Sequence, residues 1–385
     1  MLRIGIIGAG GISAAHIRGY LEFPEDCEIV AVADISPEKA QGRIEEFGLT
    51  AAVAFGDPAA LIAAGGIDLV SIVTPPSTHR ELSIAALQAG IHVVVEKPMA
   101  PSLEDCDAMI AAERASGKIL SVVAQNRFRD DLATLKEALE SGLIGSISHL
   151  RIDSSWWRGL SYYDLWWRGT WESEGGGCTL NHAIHHIDLM LWLMGRPTEI
   201  TAMLSNAQHD NAEVEDLSVA VMRFGRALGQ LTSSVVSHGE EQEIVIHGER
   251  ARISQPWRVV AETARDNGFP LPGGNPGLVA ELDALAAAHT PLTHTGHGGQ
   301  LGEVMAAIRE GRPASPGSED GRNAIEIVTA IYESAIERRV VDLPLTPEDP
   351  YYRAGALVER APRFYQKTSS VRDFGGEIVV GSSAR

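Results

Sequence analysis

Leu2-Arg-Ile-Gly-Ile-Ile-Gly-Ala-Gly-Gly-Ile-Ser13 is the stretch of this chain that decides its fold. Its apolar first half predicts a short strand, and residues 14–21 after it predict a helix. A second apolar run, residues 29–33, predicts another strand and is followed at once by Asp34. A strand, a glycine turn, a helix, a strand and an acid, in this order, are typical of a site for a dinucleotide.

Each part of this pattern serves the binding of an anionic cofactor. Gly8 permits a tight turn out of the strand, Gly10 lets the backbone approach a pyrophosphate, and the start of the helix offers free N–H groups. Asp34 can accept hydrogen bonds from both hydroxyls of an adenosine ribose. The alternative is an ordinary glycine-rich turn, since Ser13 takes the place of the third glycine of the usual motif. The residues expected to hold the cofactor here are Gly8, Gly10, Gly11, Ile12, Ser13 and Asp34.

The end of the second strand also predicts which nicotinamide dinucleotide is preferred. The Asp34 carboxylate repels a 2′-phosphate, and the following residues 35–37 contain no arginine to neutralise one. Lys39 is the nearest cation and softens the preference. The sequence therefore predicts NAD as the cofactor and leaves the use of NADP open.

The composition is that of an acidic globular protein. The chain has 385 residues, 44% of them apolar, and this length favours two domains. The formal net charge of −19 argues against binding to a nucleic-acid backbone. No apolar run is long enough to span a membrane, and Met1 leads almost directly into the first strand, with no room for a signal peptide. Cys27, Cys106 and Cys178 are far apart and form no C-x-x-C pair. We therefore expect a cytoplasmic protein that binds neither nucleic acid nor membrane.

The pattern of the chain changes near residue 123. Before it, strands alternate with helices, and the apolar runs 68–73 and 91–95 predict parallel strands covered on both faces. After it, residues 214–224 with 227–237, and 243–247 with 250–254, predict antiparallel hairpins. The expected fold is α/β, a doubly wound parallel sheet followed by a different unit. The expected divisions are a dinucleotide-binding domain over 1–123, a second domain over 124–346, and a tail over 347–385 without an assignable pattern.

A glycine-rich turn at 175–177 leads into a predicted helix with polar residues on one stripe. Asn181, His185 and Asp188 are spaced i, i+4 and i+7, so the helix presents an imidazole between two polar partners. Such an arrangement suits a general base near neutral pH. The alternative is a helix whose histidines are capped or solvated.

The same helix also carries histidines at a spacing that metal ligands can have. His182 and His186 are also spaced i, i+4 and lie near Asp188. No further ligand is evident and no H-E-x-x-H pattern is present. We therefore predict no metal site.

Lys97 is the second candidate for proton chemistry. It directly follows the buried strand 91–95, and ligands of open α/β sheets bind at the carboxyl ends of the strands. A lysine there is partly desolvated beside the cofactor, so its pKa falls and it can hold or relay a hydroxyl proton. The alternative is a surface lysine at a strand end. Strand ends and the turns after them add to the expected cofactor site the residues Thr74, Pro75, His79, Glu96, Lys97 and Asn126.

Residues 156–171 hold five of the seven tryptophans of the chain, with two tyrosines and two arginines among them. Flat aromatic faces suit the C–H faces of a sugar ring, and Arg158 and Arg168 can meet hydroxyls or a carboxylate. The alternatives are a hydrophobic dimer interface and a loop packed on the neighbouring helix. The residues expected to bind substrate are Arg127, Tyr162, Trp167, Arg168, Asn181 and His185.

Taken together, the motifs resemble the Gfo/Idh/MocA family of oxidoreductases, over about residues 1–345. The matching elements, in order, are the glycine turn, Glu96-Lys-Pro98, Gln125-Asn-Arg-Phe128, the N-x-x-x-H-x-x-D helix, Gly296-His-Gly-Gly-Gln300 and Ala330-Ile-Tyr-Glu-Ser334. The resemblance implies a Rossmann domain and an α/β domain on a large, mostly antiparallel sheet. The open face of that sheet commonly forms a dimer interface, often within a tetramer.

The resemblance also implies NAD(P)-dependent oxidation or reduction of a sugar, a cyclitol or a sugar derivative. Lys97 matches the family's lysine and His185 its histidine. Asn181 stands where many members have aspartate, and an amide can orient a hydroxyl but cannot relay a proton by ionising.

The function predicted from the sequence is therefore an NAD-dependent oxidoreductase. It transfers a hydride between nicotinamide and a secondary alcohol of a sugar, cyclitol or glycoside, with Lys97, His185 and Asn181 as catalytic residues, in a homodimer or homotetramer. One alternative is an NAD-dependent glycosidase or lyase that works by transient oxidation of the sugar. The other is a non-catalytic NAD- or sugar-sensing protein, which the presence of both Lys97 and His185 disfavours.

Overall fold

A six-stranded parallel sheet occupies the first part of the chain in the computed structural model, which describes residues 1–372. Its strands are β1 (Leu2–Ile7), β2 (Cys27–Ala33), β3 (Val53–Phe55), β4 (Leu69–Ile72), β5 (His92–Val95) and β6 (Leu120–Val122). They lie in the order β3-β2-β1-β4-β5-β6. The winding reverses between β1 and β4, and ligands of such sheets bind at the carboxyl ends beside that point. The predicted doubly wound parallel sheet is confirmed.

Helices cover both faces of this sheet. They are α1 (Ser13–Leu21), α2 (Pro37–Phe47), α3 (Pro58–Ala64), α4 (His79–Gln88) and α5 (Leu103–Ser116). Every residue of β4 is buried, as expected for a continuous apolar strand with helices on both sides.

The second sheet has eight strands and is mostly antiparallel. They are β7 (Ile147–Ser155), β8 (Glu199–Ser205), β9 (Leu217–Phe224), β10 (Ala227–Ser234), β11 (Gln242–Gly248), β12 (Arg252–Gln255), β13 (Arg258–Val260) and β14 (Val341–Asp342). Their order is β13-β12-β11-β7-β10-β9-β8-β14. Only the central pair of β7 and β10 runs parallel among these described strands.

Sequence patterns find the two hairpins of this sheet but not its centre. β9 and β10 pair around Gly225, whose φ of 61° fits the tight turn. The strand predicted over 227–237 ends earlier, at Ser234. β7 was not predicted, because polar residues alternate along it with the buried Leu150 and Ile152. Its identity as a strand depends on neighbours about 80 to 100 residues away in sequence.

The remaining helices connect the two sheets and flank them. They are α6 (Asp130–Glu140), α7 (Trp171–Glu174), α8 (Cys178–Asn181), α9 (Ile184–Met194), α10 (Pro276–Ala287), α11 (Gly296–Glu310), α12 (Ser318–Glu337) and α13 (Ala356–Arg360). The long α12 contacts both β6 and β8, so it lies between the sheets. The helix predicted after the glycine turn at 175–177 is interrupted at 182–183 and forms α8 and α9.

α11 returns from the second part of the chain to the first sheet. Its Leu301, Val304 and Met305 are buried in one apolar cluster with Ile4 and Ile6 of β1. α11 also packs against α1. The packing of this segment therefore crosses the division expected at residue 123, and the exact limits of the domains stay a prediction.

One face of the second sheet carries exposed apolar side chains. Met203, Val219, Val221 and Leu228 are between 40% and 78% exposed and lie on the adjacent strands β8, β9 and β10. Their strand neighbours, such as Ala220 and Met222, are buried on the other face. This alternation leaves an apolar surface facing outward.

The described part of the tail packs against the rest of the molecule. Tyr351 is buried, and α13 contacts α7. The last part of the predicted tail, from residue 373 onward, lies outside the described residues. Within residues 1–372, no helix combines the length and the apolar character needed to cross a bilayer.

Candidate active site

The turn between β1 and α1 has the open shape that a pyrophosphate requires. Gly8 has a φ of 106°, and a Cβ there would lie 2.6 Å from the Val73 carbonyl oxygen, so only glycine fits. A Cβ on Gly10 or Gly11 would meet no heavy atom within 4 Å. The Ser13 hydroxyl donates to the Gly10 carbonyl at 2.6 Å and closes the turn. The turn and the α1 N-terminus therefore fit the phosphates of a dinucleotide.

Asp34 is held beside this turn by backbone hydrogen bonds. Its carboxylate accepts from the Ala9 N–H at 2.8 Å and from the Ser36 N–H at 2.9 Å. Each oxygen keeps a free lone pair, so the carboxylate can still accept from ribose hydroxyls.

Arg43 also reaches the turn, which sequence analysis misses. Its guanidinium donates to the carbonyls of Gly10 at 3.1 Å and Ala9 at 3.4 Å. Arg43 lies on α2, outside the residues of the usual dinucleotide-binding motif. Only the fold shows that α2 packs so that Arg43 contacts the turn.

The loops after β4 and β5 are joined by His79. Its ring is fully buried and lies 2.8 Å from the Thr74 carbonyl and 3.0 Å from the Pro98 carbonyl. Thr74 and Pro75 remain at least partly exposed. The structure thus places Thr74 and Pro75 at the edge where a dinucleotide would lie, and His79 behind them as a support.

Lys97 follows β5, and its side chain points toward the second domain. Its Nζ donates to the Asn181 main-chain carbonyl at 3.5 Å. Burial lowers the pKa of Lys97, the nearby Glu96 carboxylate opposes that effect, and Arg168 adds to it. The lowered pKa agrees with the expectation for a desolvated lysine beside a cofactor.

Asn181 and His185 come from the interrupted helix. The Asn181 amide donates to the Gly176 carbonyl at 2.8 Å and to the Gly177 carbonyl at 3.2 Å. The stripe predicted from the spacing therefore does not flank His185 with polar partners, because the Asn181 amide faces the glycine turn before it.

His185 and Lys97 line one small cavity of about 20 Å³. Asn126 and Asp188 also line it. Within residues 1–372 no group hydrogen-bonds to the half-buried His185 ring. Burial and the Lys97 ammonium hold the pKa of His185 well below its usual range, against the opposing Glu96 carboxylate. The imidazole is therefore neutral and able to accept a proton.

Asp188, the third residue of the stripe, pairs with Arg127. The guanidinium donates to both Asp188 oxygens at 2.9 and 2.6 Å, and to Asp320 at 3.0 Å. The Arg127 side chain is only 7% exposed. Arg127 thus joins α9 to α12 behind the site, and its expected contact with substrate stays a prediction.

The glycine turn at 175–177 is fixed by the buried Glu215. Its carboxylate accepts from the Gly177 N–H at 3.1 Å, the Thr179 N–H at 3.0 Å and the Tyr332 hydroxyl at 2.9 Å. A Cβ on Gly177 would lie 1.9 Å from the Glu215 carbonyl oxygen. Burial raises the pKa of Glu215 to about 7. Sequence analysis misses Glu215 because it lies 38 residues from Gly177, with no local motif around it.

Part of the aromatic segment faces His182, next to Asn181. The Tyr162 hydroxyl lies 3.3 Å from the His182 Nε2, and the Trp156 ring lies 5.8 Å from the His182 ring. Arg168 lies over the Tyr162 and Trp167 rings, at 4.3 and 4.0 Å from their centroids. The segment therefore places aromatic faces beside the helix that carries His185.

Arg168 is not a free cation. It pairs with the buried Glu174 at 2.6 Å, and its side chain is 16% exposed. Its Nε is buried without a hydrogen-bond partner, as is the Nδ1 of His182. These two polar atoms are available to a ligand that enters beside them.

Other members of the segment serve the packing or face outward. Trp171 is buried against Tyr332 and donates to the Pro362 carbonyl at 3.0 Å. Trp157 and Trp166 are 42% and 57% exposed. The segment is thus divided between the core, the surroundings of His182 and the surface.

The histidines of the interrupted helix are not brought together as metal ligands. His182 is bonded to Tyr162, while Asp188 is bonded to Arg127. Among the described residues, one group of three histidine, cysteine or acidic side chains has its ligand atoms within 4.8 Å of one another, and it consists of His16, Glu96 and His297. That group lies behind Lys97.

Comparison with known proteins agrees with this geometry. Residues 2–124 match the model of the oxidoreductase family with an NAD-binding Rossmann fold, GFO_IDH_MocA. Residues 132–254 match the GFO/IDH/MocA C-terminal domain.

Curated and solved relatives are similar over most of the chain. Myo-inositol 2-dehydrogenase of Thermotoga maritima is 29% identical over 89% of this chain and 98% of its own. The WlbA dehydrogenase of Bordetella pertussis, solved in complex with NADH and UDP-GlcNAcA, is 30% identical with a TM-score of 0.76, over 90% of this chain and 98% of its own. Levoglucosan dehydrogenase, solved with NADH and levoglucosan, is 25% identical with a TM-score of 0.75, over 89% of this chain and all of its own.

The glycine turn, the lysine at the end of β5 and the histidine on α9 thus occur in a chain whose two parts both match one family. The residues at the turn fit the dinucleotide with which its solved relatives were crystallised. The chain belongs to the Gfo/Idh/MocA family and is an NAD-dependent oxidoreductase.

Proposed function

We propose that this enzyme oxidises a secondary alcohol of a sugar, a cyclitol or a glycoside, or reduces the corresponding ketone. The observation that carries the proposal is the convergence of Lys97 and His185 on one cavity, at the same edge of the sheet as the glycine turn. Relatives named as inositol, glucoside and levoglucosan dehydrogenases support a polyhydroxylated substrate.

The bound nicotinamide supplies the hydride acceptor or donor, and the chain supplies the proton chemistry. His185 accepts the hydroxyl proton on a free ring nitrogen while the substrate C–H bond breaks, and returns it in the reverse direction. The low pKa of His185 keeps the imidazole neutral before the reaction. Because such an imidazole is a weak base, proton transfer is favourable only as the hydride leaves.

Lys97 stabilises the charge that develops on the same oxygen. An ammonium in a desolvated cleft favours an alkoxide-like oxygen more strongly than it does in water. The Asn181 carbonyl holds Nζ in place, and the Asn181 amide holds the glycine turn. Asn181 is therefore proposed as a positioning residue, which suits an amide that cannot ionise.

The aromatic segment is proposed as one wall of the substrate pocket. Tyr162, Trp156 and the stacked Arg168 lie next to His182, one residue from Asn181. We expect Arg168→Ala to raise the Michaelis constant about tenfold through loss of a polar contact and of the stack. NAD affinity and oligomer mass should not change. Dissociation of the oligomer with normal kinetics per subunit would instead assign the segment to an interface.

A panel of sugars, inositols and glycosides tests the proposal, with NAD and NADP supplied separately. We expect one class to give reduced cofactor, measured by its absorbance, and the matching ketone to be formed. The proposal fails if no member gives net reduction. Consumption of a glycoside without net reduced cofactor would indicate internal recycling of the cofactor instead.

The enzyme is further proposed to be a cytoplasmic homo-oligomer that prefers NAD. The exposed apolar face of the second sheet supports an interface between copies, since burial of Met203, Val219, Val221 and Leu228 removes apolar surface from water. Mass measurement in solution checks the oligomer. The held carboxylate of Asp34 supports the preference for NAD.

A further inference from the structure

A cluster of polar side chains lies directly behind Lys97, and neither the pyrophosphate turn nor the proposed chemistry uses it. The cluster consists of His16 on α1, Glu96 at the end of β5 and His297 on α11. His16 is fully buried, Glu96 is 5% exposed, and the His297 side chain is 16% exposed. Three elements far apart in sequence therefore meet at one carboxylate.

The hydrogen bonds of the cluster form one consistent chain. The Tyr20 hydroxyl donates to the Ser71 hydroxyl oxygen at 2.8 Å, and the Ser71 hydroxyl donates to the His16 Nδ1 at 3.1 Å. The His16 Nε2–H then donates to Glu96 Oε1 at 3.0 Å. This assignment leaves His16 neutral and each donor with an acceptor.

The same Glu96 oxygen accepts a second imidazole. The His297 Nε2–H donates to Oε1 at 3.4 Å. Burial raises the pKa of Glu96, but the two imidazole donors outweigh burial and hold the pKa well below its usual range. The cluster is thus one carboxylate that accepts hydrogen bonds from two imidazole N–H donors.

The other oxygen of Glu96 is bonded to the residue that carries the chemistry. Oε2 accepts the backbone N–H of Lys97 at 3.0 Å. We propose that Glu96, held by His16 and His297, is a positioning residue that fixes the place and the protonation of the Lys97 side chain. The inference rests on the proposed function, because it is the proton chemistry of Lys97 that Glu96 serves.

The charged groups around Lys97 determine the direction in which its pKa should change. Glu96 is the carboxylate that raises the pKa of Lys97 against burial, and Arg168 lowers it. Lys97 also faces His182 and His185, whose pKa values it lowers. Glu96 in turn faces His16, His297, His79 and His185. Removing the Glu96 charge therefore leaves Lys97 with cationic and imidazole neighbours.

The test measures the titration of Lys97 without any substrate. Wild-type protein and Glu96→Gln are acetylated briefly at a series of pH values, and the modification of Lys97 is read by mass spectrometry. We expect the midpoint to move to lower pH by about one unit in Glu96→Gln, because the Glu96 carboxylate raises the pKa of Lys97 and a nearby opposite charge shifts a pKa by that order. Glu96→Asp keeps the charge, so its midpoint should stay near that of the wild type.

Turnover gives the second readout. Both variants should lose between about tenfold and a hundredfold in kcat, because neither holds the Lys97 backbone as Glu96 does. If Glu96→Gln does not fold, His297→Gln carries the test and should give a smaller midpoint shift in the same direction.

A matched control removes a similar bond between a carboxylate and an imidazole, at the contact of α1 with α11. Glu22, at the end of α1, accepts from His294, just before α11, at 2.7 Å, and both side chains are partly exposed. Glu22→Gln therefore loosens the contact between α1 and α11 without touching Lys97. We expect no shift of the Lys97 midpoint and normal turnover.

Three results would overturn the inference. The first is an unchanged Lys97 midpoint in Glu96→Gln, and the second is an equal shift of that midpoint in Glu22→Gln. The third is a purified protein that holds stoichiometric zinc and loses NAD-dependent turnover when a chelator removes the zinc. The last result would make the cluster a metal site. A midpoint shift together with an enzyme that oxidises no sugar would retain the positioning role and reject the proposed function.

Discussion

The pyrophosphate turn and the substrate side of the cleft are built in different ways. The turn is one contiguous segment, closed by its own backbone and the Ser13 hydroxyl. The substrate side consists of the 175–177 turn and the helix after it, fixed by Glu215 and Tyr332 from distant parts of the chain. One region is therefore encoded locally and the other by tertiary contacts. Mutations should affect them differently.

The largest expected effect falls on the substrate side. Lys97→Ala and His185→Ala should each lower kcat by about 10²- to 10⁴-fold, because both side chains act on the reacting oxygen and its proton. NAD affinity, measured by calorimetric titration, should change little. Near-normal turnover in either variant would remove that residue from the chemistry.

The turn itself can be tested with a matched pair of glycines. Gly8→Ala should destabilise the protein by about 2–4 kcal/mol, because of the positive φ and the contact of the new Cβ with the Val73 carbonyl. Gly10→Ala should leave the free energy of unfolding within about 0.5 kcal/mol of the wild type, since its Cβ meets open space. It should still weaken NAD binding by roughly tenfold, or about 1.4 kcal/mol.

Urea unfolding and calorimetric titration separate the two variants. The expected result is a stability loss only for Gly8→Ala and an affinity loss without a stability loss for Gly10→Ala. Unchanged NAD affinity in Gly10→Ala would show that the pyrophosphate does not approach this residue.

The sequence predicts the locally encoded turn well and the substrate side, which depends on tertiary contacts, only in part. The order from Gly8 to Asp34 identifies the dinucleotide site, since the interactions that build it are local. The spacing on the helix also identifies His185, but not its surroundings, because Asp188 is taken by Arg127, which lies 61 residues away. The bonds of Glu96 to His16 and His297 could not be predicted either, because these partners lie 80 and 201 residues away in sequence. No local pattern marks such partners.

The buried Glu215 should make the free energy of unfolding depend on pH, which tests its role on the substrate side. Burial raises its folded-state pKa to about 7, whereas an unfolded glutamate titrates near 4.5. The folded state therefore keeps a proton that the unfolded state has lost, and stability from this group falls as the pH rises from about 4.5 to 7. The total is up to about 3 kcal/mol.

Glu215→Gln should remove this pH dependence. The difference in the free energy of unfolding between variant and wild type, measured in urea at pH 5 to 8, should shift in favour of the variant as the pH rises. Tyr332→Phe keeps the carboxylate and should retain the titration. A constant difference between Glu215→Gln and wild type at all pH values would contradict a shifted carboxyl.

The smallest expected effect concerns Arg43, the long-range element of the otherwise local turn. Its guanidinium is bonded to the Ala9 and Gly10 carbonyls beside Asp34, and its side chain is 20% exposed. A cation there partly offsets the repulsion between Asp34 and a 2′-phosphate. We expect Arg43→Ala to lower kcat/KM with NADP about two- to fivefold, the size of a solvent-screened ion pair. Its value with NAD should stay nearly constant.

Lys39→Ala is the matched control, because Lys39 is the cation nearest to Asp34 in sequence yet points into solvent. It should change the ratio of the two cofactors less than Arg43→Ala does. Raising the ionic strength should shrink the Arg43 effect, since salt screens an exposed charge over about 10 Å. An equal loss with both cofactors, insensitive to salt, would mean that Arg43 maintains the shape of the turn and does not discriminate between the cofactors. In that case the pyrophosphate turn too would depend on a tertiary contact, and the contrast with the substrate side would be one of degree.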